Sequence, residues 1–300
     1  MIIVRLGGGL GNQMFQYALG KHLSIINKQI LKLDASGYTS TEPDTYKDIR
    51  IYGLKNFNIT AETASADEIG RYFKYYKNKW TRRLWRLSNR FFSKNYYEGS
   101  FIEEPAGNYW KFDNNLLDHP HKELYISGYW QTEKYFKDIR EVLLKEFTVK
   151  PPIDEKNAPL LEDIKNQAAV SLHIRRGNNT DPKNYFGTLS LEYYTKAVKI
   201  IVEKVPDPHF YIFSDDTEWA KNNFKIDLPT VYVGNKEAKD YEDIRLMSHC
   251  KHHILANSTF SWWGAWLAKN PGQIVIAPER YTQQADIPNP DFYPAGWILL

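Results

Sequence analysis

The chain has 300 residues, 42% hydrophobic and 25% charged, with a formal net charge of +3. This ordinary globular composition excludes a long disordered or collagen-like chain, and so small a net charge gives no reason to expect nucleic acid as a partner. Cys250 is the only cysteine, which excludes intrachain disulfides and cysteine-rich zinc sites and points to a reducing compartment.

The apolar opening Met1–Leu6 runs into glycines without a basic leader, so a secretory signal is not expected. No run approaches the ~20 apolar residues of a membrane span. The expectation is a cytoplasmic protein. Ile2–Leu6 predicts a strand, followed by the loop Gly7-Gly8-Gly9-Leu10-Gly11-Asn12-Gln13, a helix through Phe15, Leu19 and Leu23, and a strand at Gln29–Leu33. The loop nearly satisfies G-x-G-x-x-G, and Asp34 stands where a ribose-binding acid would follow. Asn12 occupies the third glycine position, which weakens a dinucleotide site and puts an amide within reach of a ligand. Alone, the loop is equally well a tight turn.

Between Glu68 and Glu98 there is no acid, while nine Lys and Arg residues from Arg71 to Lys94 alternate with aromatics such as Trp80, Trp85 and Phe91. Two readings of 71–97 stand: peripheral contact with an anionic membrane on its inner face, or a basic helical face solvated on one side and packed on the other. No nucleic-acid module is recognisable.

A helix is predicted over Thr132–Phe147, with Phe136, Ile139, Leu143 and Phe147 on one face. Pro151-Pro152 then disfavours helix and central strand alike, which places a domain boundary near Lys150. Beyond it, strand-length apolar runs at Ala169–Ile174, Phe210–Phe213, Thr230–Val233, His253–Ala256 and Gln273–Ala277 alternate with helical patterns at Leu191–Val205 and Tyr241–Cys250. Such spacing predicts βαβ units around a buried parallel sheet. The expected architecture is α/β: two Rossmann-like domains, 1–150 and 151–300, facing each other across a cleft.

Three strand ends carry polar groups where open α/β sheets bind ligands. At His173-Ile174-Arg175-Arg176-Gly177, side-chain alternation puts His173 and Arg175 on one face and Arg176 on the other. A guanidinium there suits a phosphate that gains charge as its bond breaks. Tyr211–Asp216 ends in Ser214, Asp215 and Asp216; a carboxylate there accepts the N1–H and exocyclic amine of guanine, or caps a helix beginning near Thr217. Asn257-Ser258-Thr259-Phe260-Ser261 opens a helix whose N-terminus suits an anion, with Trp262 and Trp263 read as core. No D-x-D, H-E-x-x-H, G-x-S-x-G or P-loop occurs. No metal or other cofactor is therefore expected, and Arg175 with helix dipoles would take a cation's place.

The runs GGGLGNQMFQYALG, HIRRGN, YIFSDD and NSTFSWWGAWL, with Gly128–Phe136, together resemble the signature set of the α-1,2-fucosyltransferases of glycosyltransferase family 11. The resemblance implies a GT-B type transferase that inverts the anomeric carbon of GDP-β-L-fucose without a metal and delivers fucose to the 2-hydroxyl of a terminal β-galactoside, in O-antigen or capsule biosynthesis. It implies that Arg175 holds the β-phosphate, that Asp215 or Asp216 recognises guanine, and that Ser258 to Ser261 flank the pyrophosphate. Gly9, Gly11, Asn12 and Gln13 would approach the fucose from the acceptor domain, and His173, Arg176 and Asn257 complete the donor site. One departure is Asn178, where the family has an acid; an amide cannot serve as a general base, and Asp181 is only a weak substitute. Two rival functions are an NAD-dependent oxidoreductase built on the glycine loop and Asp34, and a non-catalytic carbohydrate-binding protein.

Overall fold

The computed structural model describes residues 1–38, 51–72, 101–105, 110–118, 122–180, 186–234, 239–282 and 289–300. The basic aromatic segment from residue 73 to 97, Asp181 and the side chain of Asn178 lie outside the described residues. Two compact units emerge: Met1–Leu54 with Ile59–Glu146 and Pro290–Phe292, and Lys55–Asn58 with Phe147–Asn289 and Tyr293–Leu300. The main division falls at Glu146, and two short pieces cross the linear boundary expected near Lys150. Phe57 belongs to the second unit because it packs edge-on against Phe147 at 6.1 Å and bridges Val149. Phe292 belongs to the first because it packs against Phe15 and Trp110. Pairs so distant in sequence leave no local signal.

In the first unit, strand β1 (Ile2–Arg5) lies between β2 (Leu31–Asp34) and β5 (Leu124–Ser127), with β3 (Glu62–Thr63) and β4 (Phe101–Glu103) at the edges. Every pairing is parallel. Ile2, Ile3 and Val4 are all buried, as expected of a parallel strand covered on both faces. Among the described residues the unit's helices are α1 (Leu10–Ile26), α2 (Ala66–Tyr72), α3 (Asn115–Asp118) and α4 (Arg140–Glu146).

The single helix predicted over Thr132–Phe147 is broken. Short 3-10 turns occupy Glu133–Tyr135 and Lys137–Ile139, Phe136 between them has φ −149°, and only Arg140–Glu146 is α-helical. The cause is tertiary: adjacent Tyr135 and Phe136 are both buried, against Trp130 and Phe15 respectively. One helix face cannot bury two consecutive aromatics in different directions.

The second unit holds β6 (Ala168–Ile174), β7 (Pro208–Ser214), β8 (Thr230–Val233), β9 (His252–Ile254), β10 (Val275–Ala277) and β11 (Ile298–Leu299) in one sheet. Its helices are α5 (Ala158–Asn166), α6 (Leu191–Lys204), α7 (Thr217–Asn223), α8 (Asp240–His249) and α9 (Thr259–Trp266). Alternate residues of β6 and β7 bury opposite faces. Val170, Leu172, Phe210 and Ile212 pack with Tyr194, Ala197 and Ile201 of α6. Ala169, Tyr211 and Phe213 pack with Ile164 of α5 and with Leu246 and Met247 of α8. The sheet is therefore wound on both faces.

Strand order decides where ligands can sit. The second sheet runs β11-β10-β9-β6-β7-β8, all parallel, the Rossmann order, and it reverses direction between β6 and β9. The first sheet runs β3-β2-β1-β5-β4 and reverses between β1 and β5. At such switch points the outgoing loops diverge and leave a crevice beyond the carboxyl ends of the strands. Among the described residues no helix is long and apolar enough to cross a membrane.

Candidate active site

Strand β6 is buried up to Ile174, so Arg175 is the first residue on that strand's path with room for a charged head; its side chain is 27% exposed. Its Nη1 donates to Asp215 Oδ2, and the backbone N–H of Arg176 donates to Asp215 Oδ1 at 2.8 Å. One carboxylate from the end of β7 thus grips two consecutive residues at the end of β6. Gly177 makes this possible: at φ +27° it turns the chain, and a Cβ there would sit 2.5 Å from Asp215 Oδ2. Asp215 is thus not the cap of the helix that follows, and besides the guanine contact expected of it, it positions Arg175.

Arg176 takes a different part. Its guanidinium carbon lies 3.6 Å from the centroid of the Trp219 ring, and its Nε is 3.6 Å from Asp216 Oδ2. Asp216 also caps α7, accepting from Trp219 N at 3.1 Å. Arg176 and Asp216 together build the start of α7, so Asp216 rather than Ser214 or Asp215 is the cap. His173 shares the Arg175 face and packs 5.8 Å from the Phe260 ring. It is buried, and burial with the neighbouring Arg175 pushes it down to about 3, so its imidazole is neutral. Its Nδ1 has no partner among the described residues.

Beside β6, strand β9 delivers Asn257 and then Ser258, the N-cap of α9, whose Oγ accepts from Phe260 N at 3.2 Å. Ser261 is buried with its Oγ donating to Ser258 O at 3.4 Å, and Thr259 is buried at 8% exposure. Trp262 and Trp263 are wholly buried core residues, as expected. The positive end of α9 and the Arg175 guanidinium therefore stand on neighbouring strands at the switch point, a pairing that favours an anion.

The first unit has its own cluster at β1 and β5. Gly9 caps α1 without a side-chain bond, Gly8 takes φ +74°, and Gly11 is buried in the first turn. Asn12 Oδ1 accepts from Gln131 Nε2 at 2.9 Å, and Gln131 in turn accepts from Trp110 Nε1. Gln13 departs from expectation. It is fully buried, donating to the carbonyls of Gly8 and Ile51 and accepting from Gly53 N, so its carboxamide is spent on loop structure rather than on a sugar. Asp34 is likewise taken, by Tyr125 Oη at 2.5 Å and Ser36 N at 3.0 Å, which deprives the oxidoreductase reading of its ribose-binding acid. Among the described residues no group of three or more His, Cys, Asp or Glu could hold a metal ion.

A family model described as Glycosyl transferase family 11 matches residues 1–300. The chain belongs to glycosyl transferase family 11. This family 11 chain is 31% identical over 316 aligned residues to an alpha-1,2-colitosyltransferase of Escherichia coli, covering all of this chain and 99% of that one. It is 33% identical over 296 residues to the O-antigen biosynthesis glycosyltransferase WbnK of Escherichia coli, covering 92% and 93%. The crystal structure of the fucosyltransferase NodZ from Bradyrhizobium superposes with a TM-score of 0.53 at 11% identity, over 89% of this chain and 93% of that one. At that identity the likeness speaks to fold alone.

Two features of the family 11 chain escaped the sequence reading. Glu104, just past β4, is buried and accepts from the backbone amides of Tyr129 at 2.6 Å and Trp130 at 3.0 Å. Burial pushes its carboxyl up to about 7 against those two donors. Gln16 joins the glycine loop to the same turn, accepting from Gly7 N and donating to Gly128 O, both at 2.9 Å. The run Gly128–Phe136 resembles a family motif, but nothing local to it shows that Glu104 and Gln16 hold it.

Proposed function

We propose that this family 11 chain transfers L-fucose from GDP-β-L-fucose to the 2-hydroxyl of a terminal β-galactoside during surface glycan (O-antigen or capsule) biosynthesis, with inversion and without a metal. The observation that carries the reading is Arg175, fixed by Asp215 beside the N-terminus of α9 at the β6–β9 switch point. In the proposed step the acceptor oxygen bonds to the anomeric carbon as the carbon–oxygen bond to the β-phosphate breaks, and GDP leaves with the electron pair. Arg175 and the amide end of α9 stabilise the charge that grows on the departing phosphate. Such stabilisation acts where charge develops, so it accelerates the bond-breaking step rather than merely binding donor. The proton of the acceptor hydroxyl leaves to a base other than Asn178, whose amide cannot accept it.

The alpha-1,2 linkage in the name of the colitosyltransferase relative supports the acceptor position, and the name of another relative, the galactoside 2-alpha-L-fucosyltransferase Sec1 of Mus musculus, 24% identical over 98% of this chain and 69% of that one, supports the donor sugar. The colitosyltransferase relative favours a second reading of the donor: GDP-colitose, whose sugar is fucose lacking one hydroxyl. Cytoplasmic location and contact of segment 71–97 with anionic lipid belong to the proposal and rest on sequence. Incubation with GDP-fucose or GDP-colitose, a panel of β-galactosides and EDTA tests the reading. GDP release with a 2-linked product at an undiminished rate in EDTA is the expected result; no release across the panel, or full dependence on a divalent ion, overturns it.

A further inference from the structure

The second unit carries an open pocket of about 440 Å³ lined by Phe186, Thr188, Leu189, Asn257, Arg280 and Thr282. Two loops build it: residues 186–189, ahead of α6, and residues 280–282, after β10. Asn257, at the end of β9, ties them together. Its Nδ2 donates to the carbonyls of Phe186 at 2.9 Å, Gly187 at 3.1 Å and Tyr281 at 3.4 Å, and the rings of Phe186 and Tyr281 meet edge-on at 5.6 Å. Asn257 is 4% exposed, and its Oδ1 has no partner among the described residues. Arg280 is exposed and has no hydrogen-bond or acidic partner among them.

The strand order says which part of a ligand belongs here. In a Rossmann sheet the nucleoside lies over the first three strands, here β6, β7 and β8, with the diphosphate at the switch point. What is bonded to the far side of the diphosphate then lies over β9 and β10, where this pocket opens and shares Asn257 with the approach to α9. The lining agrees. The guanidinium of Arg280 and the hydroxyls of Thr188 and Thr282 suit sugar oxygens, while Phe186 and Leu189 suit the methyl group of a 6-deoxy sugar.

We propose that this pocket holds the sugar of the nucleotide-sugar donor, with Arg280 as the residue that reads its hydroxyls and Asn257 as the residue that positions the two walls. The assignment rests on the donor reading above. Its test compares wild type with Arg280→Ala and Arg280→Lys, measuring the Ki of GDP as a product inhibitor and kcat/KM for GDP-fucose. The exposed Arg280 leaves the fold intact when replaced, checked by an unchanged thermal midpoint. Expected are a Ki for GDP within about twofold of wild type and a kcat/KM lowered about 10- to 100-fold in Arg280→Ala, with Arg280→Lys between the two because an ammonium lacks the planar fork. An unchanged kcat/KM, or a GDP Ki raised by the same factor as kcat/KM falls, overturns the sugar assignment while leaving the transferase reading in place. A wild-type chain that neither binds GDP nor releases it from GDP-fucose overturns the donor reading, and this assignment with it.

Discussion

Asp215 holds Arg175 from across the gap between two strand ends, with one carboxylate oxygen on the guanidinium and the other on the next backbone amide. A carboxylate used in this way orients a cation without removing its remaining donors, since a guanidinium offers five. The pair is partly exposed, so its contribution to folding is small and its importance is to geometry.

The first prediction follows from that division of labour. Arg175→Ala lowers kcat by about 10²–10³, as loss of a donor to a developing anion does, while Asp215→Asn lowers it about 10-fold by loosening the arginine. The double substitution Arg175→Ala with Asp215→Asn is no worse than Arg175→Ala alone, because residues acting as one unit are not additive. Steady-state kinetics of the four-member cycle decides; multiplicative losses sink the idea that Asp215 works through Arg175.

Gly177→Ala tests the same arrangement from the backbone. The added methyl would push into the Asp215 carboxylate at a positive φ, costing about 1–2 kcal/mol of stability and displacing the pair. The expected result is a fall in kcat that largely disappears when Asp215 is already Asn. An undiminished effect in that background would mean that the glycine matters for some other reason.

Glu104 predicts a pH dependence. Its carboxyl titrates near 7 in the folded chain rather than at its ordinary 4.5, because it is buried. Between those values the folded state binds more protons than the unfolded state, so this group's stabilisation is complete below pH 4.5 and is lost as pH rises through 7, by about 3 kcal/mol at most. Glu104→Gln should flatten that part of the profile, measured by urea unfolding at pH 5 and pH 8. His173 contributes equally to both proteins and cancels in the difference. Parallel profiles for wild type and variant would refute the assignment.

Gln13→Ala separates loop structure from ligand binding. Removing the carboxamide leaves the carbonyls of Gly8 and Ile51 and the amide of Gly53 without their partner, a cost of about 2–4 kcal/mol. The variant should unfold at lower denaturant with unchanged m-value, and the donor KM of the folded fraction should move little. A stable variant with a raised KM would restore Gln13 to the site.

Much of the second unit was legible because its signals are local. An apolar run ending in Arg175 or Asp215 reads as a buried parallel strand whose end meets solvent, and the Pro151-Pro152 break lies close to the real division at Glu146. The helix over Thr132–Phe147 shows the opposite case: its periodicity is sound, yet Tyr135 and Phe136 obey packing partners on α1 and in the 128–131 turn. Asp34 and Gln13 look like ligand groups in sequence because their partners, Tyr125 and Gly53, are far away along the chain.

From the sequence alone came the class of the fold, the alternation of strand and helix, and the polar strand ends, since period and punctuation are properties of neighbours in the chain. Only the tertiary structure decided that β9 lies beside β6, that Asp215 grips Arg175, and that Arg280 and Phe186 share a pocket. Those facts depend on strand order and on contacts between distant residues, and local pattern carries no record of either.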